Sequence, residues 1–318
     1  MPPEVSVIIP TFNQVVFLRR TVASVRAQTW TDYEIIVVDD ASTDETPAYL
    51  RSQTDLRVIR NPANSGSSFS RNQGLLAAQG RYVAFLDGDD LFLPDKLTVQ
   101  VQALEDDPRL GMVYGDIQFC DEEERDLPWR SSDMRSPHPG PDIFESLSYG
   151  NFIPVHAALT RRAALDSMGR FFDEAMPRSA EDWHFWLRLA AVCRVRYQPV
   201  VLGKYRVHGS NTSQRRLNLT LGNAMVRRWL IASPLFTRLS PAAQYACYLS
   251  AAVSLVKLGE TEEARHFMDQ ARKLRPFHPA AYSLLILSSL GTERFSSLVD
   301  RVRHFIEWFR HTPQPFGR

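Results

Sequence analysis

Residues 82–90 read Tyr82-Val-Ala-Phe-Leu86 followed at once by Asp87-Gly-Asp-Asp90, an unbroken apolar run that ends in three acids around one glycine. A short continuous apolar run bounded by turn residues is the pattern of a strand buried on both faces, as in a parallel sheet. Upstream, Val5-Ser-Val-Ile-Ile9 is stopped by Pro10, Glu34-Ile-Ile-Val-Val38 ends in Asp39-Asp40, and Arg57-Val-Ile59 forms a shorter strand. Between them, Phe17–Gln28 sets Leu18, Val22 and Val25 at helical spacing, and Thr46–Thr54 reads as a short helix. Ser68–Gln79 is a helix closed by Gly80, and Pro94 opens another that runs to about Glu105. Strands alternating with helices predict a mostly parallel α/β sheet with helices on both faces.

In such sheets ligands bind outside the carboxyl ends of the strands. The polar residues collect there: Thr11 and Asn13 after the first strand, Asp39 and Asp40 after the second, and Asp87, Asp89 and Asp90 after the fourth. Two carboxylates separated by a glycine, as in Asp87-Gly88-Asp89, can turn onto one hard cation, Mg²⁺ or Mn²⁺, which also bridges to a diphosphate. An ordinary acidic turn gives the same triplet. Its place beyond a buried strand, in line with Asp39 and Asp40, favours a site.

The composition sets limits. A chain of 318 residues with 44% hydrophobic and 23% charged residues can bury a core, which excludes disordered and fibrous classes. Lys+Arg 37 against Asp+Glu 36 leaves +1, without the concentrated basic face a nucleic-acid binder needs. Cys120, Cys193 and Cys247 lie far apart and form no CxxC, so the expectation is a reducing, cytoplasmic setting with neither disulfides nor a zinc knuckle. No signal peptide is visible, and the apolar runs near Tyr245–Val256 and Ala280–Leu287 fall short of the ~20 residues that span a bilayer.

From Cys120 to Pro141 an acidic run and four prolines predict an exposed loop over the site, an acceptor lid or merely a solvated connection. Beyond about Gln214 helical patterning takes over. Residues 251–276 outline a helix–turn–helix with Gly259 at the turn, similar to one tetratricopeptide hairpin. Phe295–Arg310 places Leu298, Val302, Phe305, Ile306 and Phe309 on one face, which suits a packed helix or else a peripheral membrane or protein contact. The expected domains are 1–215 (α/β) and 216–318 (helical).

Several stretches, in order, resemble the family 2 glycosyltransferases, which have the GT-A fold. They are Val5–Asn13, Ile36–Asp40 with Ser42, Thr43 and Asp44, Asn64–Gly66, Ser70–Gly74 and Asp87–Asp90, the last standing as the DxD motif. Further on, Glu181-Asp182-Trp-His-Phe-Trp-Leu-Arg188 resembles the family's acidic pair near the acceptor. Tyr205-Arg-Val-His208, with Asn211 and Ser213, resembles its closing segment, whose histidine can approach the metal. The resemblance covers about residues 4–213. It implies an inverting transferase with a nucleoside-diphosphate sugar as donor and a glycan, lipid-linked or protein hydroxyl as acceptor, in surface polysaccharide or related glycosylation. Apart from the resemblance, the cysteine usage and the helical tail give the expectation of a cytoplasmic protein, peripheral at the inner face of the membrane if its C-terminal helices dock there.

The chemistry assigns roles. Departure of a nucleoside diphosphate builds negative charge, which Mn²⁺ or Mg²⁺ on Asp89, with Asp87 and His208, would neutralise. A carboxylate must take the acceptor's proton; Asp182 is the first candidate and Glu181 the second, although an acidic pair also suits a helix N-terminus as such. Pro10, Thr11, Asn13, Asp39, Asp40, Arg71, Asp87 and Gly88 are the expected donor contacts: Asp39 and Asp40 for base and ribose, Arg71 for a phosphate or for Asp87 or Asp89. His138, His156 and His184 have no assignable partner, and Trp183 and Trp186 suit core and pocket wall. Met225-Val-Arg-Arg-Trp229 stands where processive synthases carry QxxRW, which favours transfer of a single sugar. A nucleotidyltransferase, or a scaffold with a degenerate transferase domain, stays open as an alternative. Asn211-Thr-Ser and Asn218-Leu-Thr match glycosylation triplets by chance.

Overall fold

The computed structural model describes residues 2–134, 140–169, 171–209 and 216–277. The chain divides between Arg215 and Arg216 into two units. The expected helix Phe295–Arg310, the segment Ala280–Leu287, His138, Asn211 and Ser213 lie outside the described residues.

The first unit is built on a sheet with strand order β3-β2-β1-β4-β8-β6-β9-β5, with β7 paired to β6. Its first half comprises β1 (Val5–Thr11), β2 (Tyr33–Asp39), β3 (Leu56–Arg60) and β4 (Tyr82–Phe85), all parallel. Every residue of β1 and β4 is buried, as strands covered on both faces must be. The alternation of the strands sorts the helices. Val5, Val7 and Ile9, with Ile35, Val37, Tyr82 and Ala84, pack on α1 (Val15–Arg26), α2 (Thr46–Arg51) and α4 (Lys96–Asp106). On the opposite face Ile8 meets α3 (Ser67–Ala77) at Gly74, and Phe85 stacks edge-on against Phe172 and Phe185. Helices thus cover both faces of the parallel half. Strand order reverses beside β1, which has β2 on one side and β4 on the other, so the crevice for a ligand opens above the ends of β1 and β4.

The second half of the sheet mixes directions. β8 (Ala158–Arg161) runs antiparallel to both β4 and β6 (Leu110–Cys120). β9 (Arg194–Arg206) runs parallel to β6 with register shifts, and the two-residue β5 (Leu91–Phe92) caps it antiparallel. Because β6 runs parallel to β4, its end and that of β9 rise on the same side as the Asp87–Asp90 turn.

Three local expectations are corrected. The loop expected from Cys120 opens as a hairpin: Asp121 N–H donates to Arg125 O, and β7 (Asp126–Arg130) returns antiparallel along β6. Pro128 is tolerated because β7 is an edge strand. Gly80 does not close α3, which ends at Ala77; a Cβ there would lie 2.4 Å from Ser6 N, so glycine lets the chain cross close against β1. Pro94 precedes α4 rather than opening it, its carbonyl taken by Thr29 N–H.

The second unit is helical over its described part. α9 (Arg216–Ala232), α10 (Pro241–Lys257) and α11 (Thr261–Leu274) share a small core of Ala224, Ala251, Ala252, Leu255, Val256, Ala264, Phe267 and Met268. Ser240 caps α10 by accepting from Ala243 N–H, and Gly259 takes a left-handed φ of 83° in the α10–α11 turn. Arg228 on α9 pairs with Glu260 and Glu263. Among the described residues no helix is long and apolar enough to cross a membrane.

Candidate active site

The acids beyond β4 are gripped by arginines. Arg71 on α3 is 3% exposed and reaches both ways: Nη2 donates to Asp87 Oδ1 at 2.6 Å and Nη1 to Glu181 Oε1 at 3.0 Å. Glu181 opens α8 (Glu181–Ala190), 110 residues along the chain from Arg71. Ser67 Oγ donates to the same Glu181 oxygen at 3.0 Å, and Oε2 is buried with no hydrogen-bond partner. Burial alone would lower the Arg71 pKa, yet the charges of Asp87 and Glu181 raise it overall. Arg71 was expected to meet a phosphate or to satisfy Asp87 or Asp89. It does satisfy Asp87, and it pairs with Glu181 as well, because a buried guanidinium needs its charge matched.

Asp182 follows on α8. Its Oδ2 accepts from Asn151 Nδ2 at 2.7 Å, and its carboxyl is pushed up to about 7 by burial and then by the Glu181 charge, with Arg71 opposing. Burial likewise raises Glu181, against the pull of Arg71. Trp183 and Trp186 are buried, donating from Nε1 to Leu147 O and Ile153 O, so both serve the core around the pair.

On the far side of the turn, His208 Nε2 lies 3.0 Å from Asp89 Oδ2. The arrangement is held by Arg206, the last residue of β9 and fully buried. Its backbone N–H donates to Asp90 Oδ1 at 2.9 Å, its Nε to Asp89 O at 2.8 Å, and its Nη1 to Glu122 O at 3.0 Å. Both side chains pack on the Phe17 ring, with the Arg206 guanidinium 5.0 Å from its centroid and the His208 ring at 4.8 Å. Asp90 itself is buried, and burial with the charges of Asp89 and Asp87 raises its pKa well above the usual carboxylate range. His156 Nδ1 sits 3.1 Å from Asp90 Oδ2, and burial lowers that imidazole to about 4. Both groups are buried, and the contact belongs to the packing of the turn.

The third part of the crevice is the corner between β1 and β2. Asp40 N–H donates to Thr11 O at 2.9 Å, and the Thr11 hydroxyl is buried without a partner. Asn13 adopts a left-handed φ of 51°, and its Oδ1 accepts from Thr43 N–H at 2.7 Å. Asp39 is buried, with Oδ1 accepting from Ser42 N–H at 2.9 Å and Oδ2 from Arg60 Nη1 at 2.6 Å. Asp40, expected at the base and ribose, is committed inside the fold. It accepts from Asn61 Nδ2 (2.8 Å), Ser65 N–H (2.9 Å) and Gly66 N–H (2.7 Å), and so shapes the loop that leads into α3. Gly88 joins the corner to the acidic turn, since a Cβ there would stand 3.0 Å from Pro10 O and 3.1 Å from Thr11 Oγ1.

The structure thus brings Pro10, Thr11, Asp87, Gly88 and Asp89 together, ties Asp87 through Arg71 to Glu181, the neighbour of Asp182 on α8, and sets His208 against Asp89. Among the described residues no three His, Cys, Asp or Glu side chains converge as a metal cage. Asp89 and His208 form a two-donor face that suits a hard cation completing its shell with water and phosphate oxygens, as Mg²⁺-type sites do. Four contributors were missed in the sequence: Arg60, Arg206, Asn151 and Ser67. Arg60 had a usable signal, because it ends β3 where Asp39 ends β2, and the register pairs the two.

A sequence model of the family described as Glycosyl transferase family 2 matches residues 6–169. An uncharacterized glycosyltransferase of Rickettsia typhi is 30% identical over 222 residues, 68% of this chain and 68% of its own. S. aureus TarS 1–349 in complex with UDP-GlcNAc superposes with a TM-score of 0.63 at 17% identity, covering 92% of each chain. The mannosyltransferase PcManGT from Pyrobaculum calidifontis, in complex with GDP-Man and Mn²⁺, superposes with a TM-score of 0.59 at 22% identity, over 94% of this chain and 86% of that one. At those identities the two structures speak for a shared GT-A-type fold.

Proposed function

The chain belongs to glycosyl transferase family 2, and from that premise we propose that it moves a single sugar from a nucleoside-diphosphate donor to an acceptor hydroxyl, with inversion. It is a glycosyltransferase, and the nucleotidyltransferase alternative falls with the family match. The donors in the two superposed structures, UDP-GlcNAc and GDP-Man, support a nucleotide sugar as the donor class here. The observation that carries the reading is the Arg71 bridge, which joins the acid of the β4 turn to the acidic pair of α8.

In this reading the diphosphate lies over the Asp87–Asp89 turn, and the nucleoside lies in the corner of Pro10, Thr11, Asn13 and Asp39. Gly88 lets the turn and the corner close on each other. Asp182 is the general base: its carboxylate takes the acceptor's hydroxyl proton as the new bond to the anomeric carbon forms. The bond from that carbon to the phosphate oxygen breaks on the opposite face, and the nucleoside diphosphate leaves with the electron pair. A pKa near 7 suits this task, since a base is most effective when its pKa lies close to the working pH. Asn151 orients the carboxylate, while Glu181, tied to Arg71 and Ser67, positions the start of α8 rather than reacting. Asp89 and His208, with Asp87, would hold Mn²⁺ or Mg²⁺, which when bound supplies positive charge to the departing diphosphate. The superposed mannosyltransferase carries Mn²⁺.

The test is Asp182→Asn. Transfer should fall by about 10²- to 10⁴-fold while the dissociation constant for the donor's nucleoside diphosphate stays within about threefold. Parallel loss of binding and transfer would remove Asp182 from the role of base.

A further inference from the structure

We propose that the tip of the β6–β7 hairpin positions the cation seat: Glu124 holds the guanidinium of Arg206, and Arg206 in turn sets the spacing of Asp89 and His208. Glu124 is a positioning residue, outside the crevice. This rests on the reading of Asp89 and His208 as cation donors and goes beyond it by naming the remote residue on which their geometry depends.

Both donors hang from Arg206. Its Nε donates to the Asp89 carbonyl at 2.8 Å, and His208 follows two residues later in the chain. His208 Nε2 then stands 3.0 Å from Asp89 Oδ2. Two donors on neighbouring corners of an octahedral shell, with bonds of about 2.1 Å, are also about 3.0 Å apart. A shift of the Asp89 carbonyl against the end of β9 would open that spacing, so the seat is only as fixed as the guanidinium. Arg206 is fully buried, and a guanidinium sealed from water needs an opposite charge. Glu124 supplies one: Arg206 Nη2 donates to Glu124 Oε1 at 3.2 Å, beside the 3.0 Å bond from Nη1 to Glu122 O.

The tip is built to keep that carboxylate in place. Glu124 has a left-handed φ of 69°, a conformation a glutamate keeps only where its surroundings impose it. Asp121 closes the turn, its Oδ1 accepting from Glu123 N–H at 3.0 Å and from Arg125 N–H at 2.9 Å. Two more cations converge on the tip from different elements. Arg20 of α1 donates from Nη1 to Glu122 O at 3.1 Å and lies 3.4 Å from Glu124 Oε1, while Lys204 of β9 donates to Glu124 O at 3.2 Å. Glu123 pairs with Arg125 at 3.0 Å instead, and both of those side chains are exposed. Neighbouring glutamates of equal charge thus have different duties: Glu124 faces Arg206, and Glu123 stays on its own loop. Loss of a group that orients a metal ligand typically weakens metal affinity by about 10- to 100-fold. Glu124 acts through Arg206 and so belongs at the lower end of that range.

The experiment is a calorimetric titration of the full chain with UDP and with GDP, each in Mn²⁺ and in EDTA. In the wild type Mn²⁺ should tighten the binding of at least one of them. Glu124→Gly removes the carboxylate at a φ that glycine adopts without strain, so the tip keeps its path. It should weaken binding in Mn²⁺ by about tenfold, or to the EDTA level if that is nearer, while binding in EDTA stays within about threefold of wild type. Glu124→Gln keeps an acceptor oxygen without the charge and should lose part of the Mn²⁺ enhancement. Glu123→Gln makes the same charge change one residue away and should lose none. General damage to the donor seat would weaken binding in EDTA as well, and mere loss of a nearby negative charge would act equally in Glu123→Gln. An enhancement unchanged in Glu124→Gly, an equal loss in Mn²⁺ and EDTA, or an equal loss in Glu123→Gln overturns the role of Glu124. A wild type that binds one nucleotide no better in Mn²⁺ than in EDTA, or binds neither, refutes the reading beneath it.

Discussion

Replacing Arg71 by methionine, which keeps most of its length and removes its charge, tests the bridge on which the active-site reading depends. The Arg71–Glu181 pair has both side chains nearly sealed from water, at 4% and 6% exposure, with a separation of 3.0 Å. The Arg71–Asp87 pair is shorter, but the Asp87 side chain is 32% exposed, so water screens it and its loss matters less. Breaking a buried pair by removing one partner typically costs about 3–5 kcal/mol, because a charge is left stranded. Glu181 has an escape, since it can take up a proton. Its pKa is already raised by burial, with Arg71 as the main opposing influence, so the substitution raises it further.

A carboxyl whose folded pKa stands above its unfolded one binds more protons in the folded state between those two values, so stability falls as pH rises through that window. The variant should therefore lie about 3–5 kcal/mol below wild type at pH 8 and markedly closer to it at pH 5. Urea unfolding followed by the fluorescence of Trp183 and Trp186, both buried in α8, reads the first unit at each pH. The comparison with wild type is made pH by pH, because the raised Asp182 gives the wild type a slope of the same sign. Adding Glu181→Gln to the variant should restore most of the loss at pH 8. If the cost is the same at both pH values and the second substitution rescues nothing, the stranded charge is not Glu181 and the bridge does not join the two acidic segments.

Two further predictions follow from the same geometry. Gly88→Ala brings a methyl to 3.0 Å from Pro10 O, a backbone atom that cannot swing aside, and to 2.3 Å from the movable Gln14 Nε2; overpacking of this kind costs about 1–3 kcal/mol, and donor binding measured by calorimetry should weaken about tenfold or more, with unaltered affinity counting against a donor seat at this turn. If Asp182 is the base, kcat/KM should rise with pH to a midpoint near its pKa of about 7 and then level off, because only the deprotonated carboxylate accepts the proton; a limb near the ordinary carboxylate value of about 4 would point to a different group.

The parallel half of the fold was legible because burial on both faces leaves no ambiguity: Val5–Ile9, Ile35–Val38 and Tyr82–Leu86 are apolar at nearly every position. The same lettering marked where each strand stops, and acids at a strand end in an α/β sheet point to the crevice. The mixed half was harder. β7 contains Pro128 amid charged and turn-forming neighbours, so its sequence reads as loop, and only its partner β6 makes it a strand. Asp40 is ambiguous for a related cause: a carboxylate at a strand end looks the same in sequence whether it faces a ligand or ties down a loop, and its bonds from Asn61, Ser65 and Gly66 appear only in the fold. Arginines were the least legible. The reach of Arg71 to Glu181 spans 110 residues, and that of Arg206 to Asp89 spans 117, distances over which sequence pattern carries no pairing information.

Those two arginines fix the shape of the site. The Asp87–Asp90 turn is held from one side by Arg71 on α3 and from the other by Arg206 on β9. From below, Thr21 Oγ1 lies 3.1 Å from the Gly88 carbonyl and 2.8 Å from that of Asp90. Preorganised charge stabilises a developing anion more than mobile charge does, because nothing has to reorganise during the reaction. Substitutions at Arg71 and Arg206 should therefore not add independently, since each arginine limits how far the turn can relax when the other is lost. Asp182 is the contrasting case. Its carboxylate accepts from Asn151 Nδ2 and from Trp183 N–H of its own helix, and among the described residues it makes no hydrogen bond to the turn, so its loss should leave the donor's seat intact and remove the proton acceptor alone.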